Sequence, residues 1–388
     1  MHDRVKVYIG CFGSGLGHAR RMLEVAEELI DRGDEVEFSS SGEVAGLIEK
    51  SGYHCNRLPL ADVRYTESGG FSMKNTLAST PSLLLRTYRQ VAEEVANIAR
   101  FGPAATLSDS SLSTLLASRA LRVPAFTVLN QLNLGGSIDG EGSPKRLLSF
   151  GTSTGMGRLW ELSKVVFLPD LPPPYTISER NLWGSNVSKT RYVGFLGVSG
   201  RAEPDEAGIE FVADPRPKVF WQVSGPPRTR TAMVKTALEF ASELSDRYVF
   251  VVSGGSPGSS SEASRVSGGW SYGWCRIPEF YFSSADIIAS RAGHGTICQS
   301  IMAGKPSLLI PIPNQPEQLG NAEKAERLGI SIALEQEGLS LGLVDGAFRS
   351  LLEGRISENV SRLSAYASQF DAKREIWMAI DSATSDRR

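Results

Sequence analysis

The chain has 388 residues, a formal net charge of −2 and 22% charged residues. This length suggests two domains, and the balanced charge excludes bulk nucleic-acid binding. No apolar stretch approaches the roughly 20 residues of a membrane-spanning helix, and the four scattered cysteines, which lack metal-ligand spacing, are expected to be reduced thiols of a cytoplasmic protein.

The first half alternates predicted strands and helices. Residues 5–11 are apolar and β-branched, as expected for a buried parallel strand, and a predicted helix over 19–32 follows a glycine-rich turn. The buried face of this helix is expected to carry Met22, Ala26, Leu29 and Ile30. Further strands are predicted over 36–40, 104–107 and 124–129, and further helices over 43–51 and 113–121.

The second half repeats this alternation. Strands are predicted over 218–223, 248–253, 286–290, 307–311 and 331–334, and helices over 231–244 and 357–383. The Ser- and Gly-rich stretch 256–269 is predicted to be a loop. The whole pattern predicts an α/β protein with two doubly wound, Rossmann-like domains, over 1–200 and 201–388, that face a central cleft. The last helix is a candidate to cross back to the first domain.

The glycine-rich turn of the first half reads GSGLGH. Its spacing, and the lack of an acid after the next strand, argue against a dinucleotide site. The positions expected to let a substrate approach the backbone are Gly13, Ser14, Gly15 and Gly17. His18 is a candidate general base, and Asp109, at the end of another strand, is its candidate partner. The alternatives are that His18 closes its own loop and that Asp109 caps the helix near Ser113.

A second group of candidates lies between residues 289 and 322. Arg291 and the turn Gly293-His294-Gly295-Thr296 lead into a predicted helix. A helix N-terminus suits a phosphate, and an arginine adds a charged fork. The alternative is an ordinary strand–turn–helix with a surface arginine. Other candidates to contact an anion or a sugar are Ser224, Gly225, Arg228, Gln299, Glu317 and Gln318; a loop such as 314–318 also occurs as a plain surface turn.

These motifs resemble those of the GT-B glycosyltransferases, which include the UDP-glycosyltransferases and the bacterial N-acetylglucosaminyltransferase of lipid-linked peptidoglycan precursor. SRAGHGTICQS is similar to the donor-site segment of this family. The resemblance implies diphosphate binding at Arg291 and residues 293–296, and a ribose contact at Gln299, where the family usually has Glu. PEQLGNA resembles the sugar-binding loop, which implies contacts from Glu317 and Gln318. The resemblance also places Cys275 at the position that binds the nucleobase and GSGLGH at the acceptor loop. It places His18 at the position of the catalytic general base and Asp109 at that of its partner.

The resemblance further implies an inverting, metal-independent transfer of a hexosyl or N-acetylhexosaminyl group from a nucleotide sugar, with UDP as the expected nucleotide and no cofactor. The acceptor is not readable from the residues. A lipid-linked acceptor and contact with the inner face of the membrane would suit the apolar and basic segment 83–89, although this segment is more typical of an amphipathic helix packed on the sheet. Two other functions stay open: a UDP-sugar 2-epimerase of the same fold and a non-catalytic sugar-nucleotide-binding subunit.

Overall fold

The computed structural model describes residues 4–60, 80–131, 157–182, 187–198, 202–225 and 227–385. Two seven-stranded sheets organise these residues, and helices cover both of them. The predicted fold class, two parallel-sheet α/β units, is therefore confirmed.

The first sheet is entirely parallel and has the strand order β3-β2-β1-β4-β5-β6-β7. Its strands are β1 (Lys6–Cys11), β2 (Glu35–Ser40), β3 (Cys55–Arg57), β4 (Ala105–Asp109), β5 (Ala125–Val128), β6 (Val166–Leu168) and β7 (Thr190–Tyr192). Its helices are α1 (Leu16–Asp31), α2 (Gly42–Lys50), α3 (Thr80–Phe101), α4 (Leu112–Ala120) and α5 (Glu179–Leu182). The chain reverses its direction of strand addition between β1 and β4, so the crevice at which a doubly wound sheet binds its ligand lies beside these two strands.

The second sheet has the order β10-β11-β9-β8-β12-β13-β14, and only its β10–β11 pair is antiparallel among the described strands. Its strands are β8 (Lys218–Gln222), β9 (Val249–Ser253), β10 (Ser264–Val266), β11 (Gly269–Tyr272), β12 (Ile287–Ser290), β13 (Ser307–Leu309) and β14 (Ser331–Ala333). The helices are α6 (Glu206–Ala213), α7 (Pro227–Glu243), α8 (Pro278–Ser284), α9 (His294–Met302), α10 (Pro316–Arg327), α11 (Leu341–Leu352), α12 (Gly354–Ala367) and α13 (Ala372–Ser385). Here the switch of direction falls between β8 and β12.

Three local predictions need correction. The stretch 256–269 is not simply a loop, because β10 forms within it and pairs with β11, whose Trp270 and Tyr272 side chains are buried. Ile30 is 43% exposed, whereas Met22, Ala26 and Leu29 are fully buried. The predicted C-terminal helix is two helices, α12 and α13, which are separated at residues 368–371.

The last helix packs on the first sheet rather than the second. Ile376 and Ile380 are buried in the core that also holds Met22 and Leu29 of α1. The guanidinium of Arg32 lies 3.9 Å from the ring centre of Trp377, which adds a cation–π contact between the two helices. Strand β7 ends at Tyr192 and β8 begins at Lys218, so the predicted boundary near residue 200 falls between the sheets; the boundary itself stays a prediction.

Candidate active site

The carboxyl edge of the first sheet brings His18 and Asp109 together. Strands β1 and β4 are neighbours, with Cys11 opposite Asp109, and α1 carries His18 on its first turn. His18 Nδ1 lies 2.9 Å from Asp109 Oδ1; the Asp109 side chain is fully buried and that of His18 is 19% exposed. The His18 ring therefore does not merely close its own loop. Nor does Asp109 cap α4, because the N-cap of that helix is Ser111, without a side-chain capping bond.

Arg21 completes this cluster and was not predicted from the sequence. Its Nε donates to Asp109 Oδ2 at 3.0 Å, and its Nη2 donates to Asp109 Oδ1 at 2.7 Å. The same Nη2 lies 2.9 Å from His18 Nδ1. Burial alone would raise the pKa of Asp109, but the charges of Arg21 and then His18, with their hydrogen bonds, lower it below its ordinary value.

The glycine turn is shaped as much by the protein as by any substrate. A Cβ at Gly13 would lie 1.9 Å from Ser41 Oγ, so the missing side chain lets the turn pack against the loop after β2. Whether a substrate approaches the main chain at Gly13 stays a prediction. Gly15 has φ +94°, which favours glycine. Ser14 and Gly17 are exposed, and a Cβ at Gly17 would meet nothing within 4 Å.

The N-terminus of α9 lies at the corresponding edge of the second sheet. Gly293 is its N-cap and has no side chain to bond the first N–H groups, which have no partner within a helix. A Cβ added at Gly293 or Gly295 would meet nothing within 4 Å, and Thr296 is half-buried. The predicted phosphate turn therefore presents main chain to open space.

The ring of His294, by contrast, is buried away from this opening. Its Nε2 lies 3.1 Å from Asp170 Oδ2, whose carboxylate also accepts hydrogen bonds from the main-chain N–H groups of Leu171, Ile177 and Ser178. Burial alone would raise the pKa of Asp170, but His294 and the Ser178 hydrogen bonds lower it. The donor-site expectation for His294 is thus corrected for its side chain, because a buried carboxylate already holds the ring.

Arg291 is not a surface arginine. It is 1% exposed, and its Nη1 donates to the carbonyl of Ile310 at 3.1 Å. Weaker contacts of 3.5 Å reach the carbonyls of Pro311 and Thr229, and no hydrogen bond or ion pair to a carboxylate exists among the described residues. Burial lowers the pKa of Arg291 to about 10, so it stays charged at neutral pH. The guanidinium of Arg291, expected beside the helix terminus, is instead buried, where it bridges carbonyl groups in the loop after β13 and in the first turn of α7.

A second buried guanidinium in this half is that of Arg230, which follows Thr229, a residue whose carbonyl Arg291 contacts. Arg230 is 6% exposed; its Nη1 donates to the Gly255 carbonyl at 2.7 Å and its Nη2 lies 3.4 Å from Glu43 of α2. The Nε atoms of Arg230 and Arg291 are buried and have no hydrogen-bond partner among the residues that the structure describes. Two buried guanidinium groups, those of Arg230 and Arg291, thus lie in the half that also carries the half-buried Ser224 and the exposed Gly225. The side chain of Arg228, another predicted donor contact, lies outside the described residues.

The other predicted donor residues lie in or beside the cleft, and several are already engaged. Gln299 Nε2 donates to the Gly197 carbonyl at 3.1 Å, and Gln318 Oε1 accepts from the N–H of Ile312 at 2.9 Å. One polar atom of each of these side-chain amides is therefore already hydrogen-bonded to the main chain. Glu317 Oε1 lies 3.5 Å from Asn130 Nδ2, so the start of α10 faces the first half of the chain. The ligand contacts proposed for these residues stay predictions.

A cavity of about 260 Å³ opens between the two halves beside Cys275. Its walls come from α1, α2 and the segment 274–279, and Arg20 Nη1 donates to Glu279 Oε1 across it at 3.0 Å. Cys275 itself is buried. Within the ranges that the structure describes, no group of three His, Cys, Asp or Glu side chains is placed to hold a metal ion, and no helix has the length and apolarity to cross a membrane.

Comparison with known proteins shows what this architecture is. Residues 276–370, which contain α9 and the loop before α10, match the glycosyltransferase family 28 C-terminal domain. The chain is 26% identical over 381 residues, covering 96% of it and 97% of the relative, to an uncharacterized glycosyltransferase of Methanosarcina mazei. Its fold is that of the glycosyltransferase SsfS6 of Streptomyces sp. SF2575, with a TM-score of 0.66 at 16% identity over 97% of this chain and 100% of that one. The chain is a GT-B glycosyltransferase.

A shorter match concerns the glycosyltransferases of cell-wall synthesis. Over 87 residues, which are 22% of this chain and 24% of the relative, this glycosyltransferase is 38% identical to the UDP-N-acetylglucosamine–N-acetylmuramyl-(pentapeptide) pyrophosphoryl-undecaprenol N-acetylglucosamine transferase of Gloeobacter violaceus.

In this GT-B enzyme, Gly197 joins the two halves of the candidate site. Its N–H donates to the Glu24 carboxylate of α1, and its carbonyl accepts from Gln299 of α9. A Cβ at Gly197 would lie 3.2 Å from the main-chain nitrogen of Arg21. Gly197 therefore lies directly against α1, the helix that carries His18, and is hydrogen-bonded to α9, the helix with the open N-terminus.

Proposed function

We propose that this glycosyltransferase moves a hexosyl or N-acetylhexosaminyl group from a UDP-sugar to an acceptor hydroxyl, with inversion at the anomeric carbon. The cell-wall relative is named for a UDP-N-acetylglucosamine donor. SsfS6 has also been solved in complex with thymidine diphosphate, so a structural neighbour holds a nucleoside diphosphate. Both names support a nucleotide-sugar donor, and the first supports uridine as the nucleoside.

One observation carries the proposal: His18, whose Nδ1 lies 2.9 Å from Asp109 Oδ1, is on the helix that Gly197 connects to α9. A base in one half and an open helix N-terminus in the other are the two groups that a transfer reaction needs. The acceptor hydroxyl must lose a proton, and the departing diphosphate must gain charge stabilisation.

His18 is the proposed general base. With Nδ1 donating to Asp109, its Nε2 is the nitrogen that takes the proton of the acceptor hydroxyl. The hydroxyl oxygen then forms a bond to the anomeric carbon as the bond to the diphosphate oxygen breaks. Asp109 stabilises the imidazolium that results, because its low pKa keeps it ionised beside the ring.

The leaving diphosphate is proposed to bind the first N–H groups of α9. The peptide dipoles of the helix give this end a partial positive charge, and the glycines at 293 and 295 let oxygen atoms come close. Arg291 and Arg230 add two buried charges beneath the same loops. We propose that these groups together stabilise the leaving group without a metal ion or another cofactor.

The acceptor is proposed to be lipid-linked, and the enzyme to work from the cytoplasm at the inner face of the membrane. The name of the cell-wall relative supports this acceptor class. On α3, Leu85 is 52% and Tyr88 71% exposed, with Arg86 and Arg89 exposed beside them. Exposed apolar and basic side chains on one helix suit an anionic lipid surface. The side chains of residues 80–84 lie outside the described residues.

A two-stage experiment tests this function. Thermal unfolding is first measured with UDP, TDP and a panel of UDP-hexoses and UDP-N-acetylhexosamines, because a ligand of the native state raises the unfolding temperature with its concentration. The best donor is then incubated with a polyprenyl-linked sugar in vesicles or with soluble sugars, and NMR reads the configuration of the new linkage. UDP-dependent stabilisation and an inverted linkage are expected.

Other outcomes would replace the proposal. Conversion of the UDP-sugar to its 2-epimer without acceptor would identify an epimerase. Binding of UDP without turnover of any donor would favour a non-catalytic subunit, and retention of the anomeric configuration would refute His18 as the base of an inverting transfer.

A further inference from the structure

We propose that Arg21 is a positioning residue for the general base: it fixes Asp109 so that His18 holds its proton on Nδ1 and keeps Nε2 open for the acceptor hydroxyl. The inference rests on the proposed function of His18. It adds a third member to the pair that the sequence indicates.

The first support is the geometry of the fork. Arg21 engages both carboxylate oxygens of Asp109, through Nε at 3.0 Å and Nη2 at 2.7 Å. Only 8% of the Arg21 side chain and none of the Asp109 side chain is exposed. Two parallel bonds to a planar guanidinium fix the carboxylate in rotation as well as position, which a single bond from an ammonium cannot do.

The second support is the direction in which this fork turns Oδ1. With the carboxylate fixed, Oδ1 lies 2.9 Å from His18 Nδ1. An ionised carboxylate oxygen only accepts hydrogen bonds, so this contact is favourable only when Nδ1 carries the proton. The ring nitrogen left without a proton is then Nε2, as a base requires.

The third support is that Arg21 itself contacts the ring. Its Nη2 lies 2.9 Å from Nδ1 and would donate to that nitrogen in the opposite tautomer, which is inactive as a base at Nε2. Nη2 has two N–H groups and donates one to Oδ1 at 2.7 Å, so Oδ1 itself opposes that tautomer: without a proton, Nδ1 would face an ionised oxygen at 2.9 Å, two acceptors that repel each other. Asp109 thus holds Arg21 to its positioning role, and the proton stays on Nδ1.

The main chain at Gly197 keeps Arg21 in this place. A Cβ at Gly197 would lie 3.3 Å from Cγ of Arg21, so the stem of the side chain packs directly under the linker backbone. Few rotamers remain for a side chain held at both its stem and its fork. The arrangement is therefore built before substrate arrives.

The direct test is the tautomer of His18 in protein labelled with nitrogen-15 at histidine. Two-bond proton–nitrogen correlations show which ring nitrogen is protonated, and His18→Gln assigns the signal among the four histidines. Protonated Nδ1 is expected in the parent enzyme, and a shift of population toward protonated Nε2 in Arg21→Met. The same tautomer in both proteins, or protonated Nε2 in the parent, would overturn the inference.

Kinetics supply the second test. Arg21→Met is expected to lower kcat about 10- to 100-fold, as misplacement of a catalytic group does, with the affinity for UDP unchanged. Because Arg21 acts through Asp109, adding Arg21→Met to Asp109→Asn should cost less than about a further twofold. Losses that multiply fully, or a large loss of UDP affinity in Arg21→Met, would contradict a positioning role.

Two further variants protect the interpretation. Arg32→Met removes the arginine that directly follows α1, at the end of the helix away from His18, and should leave kcat and the tautomer unchanged. Should Arg21→Met fail to fold, Arg21→Lys retains the charge without the fork and is expected to show an intermediate tautomer population. If His18→Gln keeps full activity, the proposed base is wrong, yet the tautomer comparison still decides whether Arg21 fixes the ring.

Discussion

The two halves of the candidate site treat charge in opposite ways. In the first half, Asp109 faces Arg21 and His18, so the buried carboxylate is compensated within the protein. In the second half, Arg291 is equally buried but contacts only carbonyl oxygens among the described residues. A compensated cluster can hold a fixed geometry for proton transfer, whereas an uncompensated cation leaves its attraction available to an anion that arrives from solution.

The halves also differ in which atoms face the cleft. The first half offers a side chain, the imidazole of His18, whereas the second offers main-chain N–H groups at Gly293 and beyond. Because of this difference, we expect substitutions to affect proton transfer and donor binding separately. Changes near His18 should affect the rate of transfer, and changes near α9 should affect the binding of the donor.

The largest separation is expected from His18→Gln. Loss of the base should lower kcat about 100- to 10,000-fold, while UDP affinity stays the same because the nucleotide is held by the other half. Steady-state kinetics and calorimetric titration with UDP measure the two effects. His54→Gln, which removes an exposed histidine, is the control. A loss of UDP affinity equal to the loss of rate would abolish the division between the halves.

Arg291→Met should give the reverse result. Removing a charged donor typically costs about 1.5–3 kcal/mol, so UDP is expected to bind about 10- to 100-fold more weakly. At saturating donor, kcat should fall less than in His18→Gln. Titration calorimetry checks the affinity, and Arg349→Met, at an exposed arginine on α11, controls for a general loss of charge. Unchanged UDP affinity would show that Arg291 serves the loops alone.

A different effect, on stability rather than on transfer or donor binding, is expected from acid in the first half. The pKa of Asp109 is lowered on folding, so its pairing stabilises the fold above the unfolded-state value near 3.9 and is lost as pH falls through the folded value. Asp109→Asn should be less stable by about 3–5 kcal/mol at neutral pH, and the difference should shrink below about pH 4. Urea unfolding across this range measures it, with the exposed Asp31→Asn as control. A gap independent of pH would exclude the ionised pair as its source.

The contact between His18 and Asp109 could be predicted because it follows from topology. Neighbouring parallel strands end at one edge, so residues that follow β1 and β4 must meet there. Arg21 was missed although a signal existed: residues three apart on a helix share a face, and Arg21 follows His18 by that spacing. The partner of the carboxylate could have been sought on that face.

The burial of Arg291 could not be predicted in the same way. Its position after β12 can be read from the sequence, but the direction of its side chain depends on the loop after β13 and on the first turn of α7, which lies far from it along the chain. The β10–β11 pair was missed for another reason. Its serines and glycines are typical of loops, and only the alternation of Trp270 and Tyr272, both buried, indicated a strand.

Gly197 constrains how closely the chain can pack between α1 and α9. Its φ of +74° favours glycine, and a Cβ there would lie only 3.2 Å from the main-chain nitrogen of Arg21, so a larger side chain would be strained and tightly packed. Even the methyl group of Gly197→Ala would press on the first turns of α1 and, at the same time, strain the bond from Gln299. A shift of Gly197 would therefore reach both α1, which carries His18, and α9, the helix to which the proposed function assigns the diphosphate.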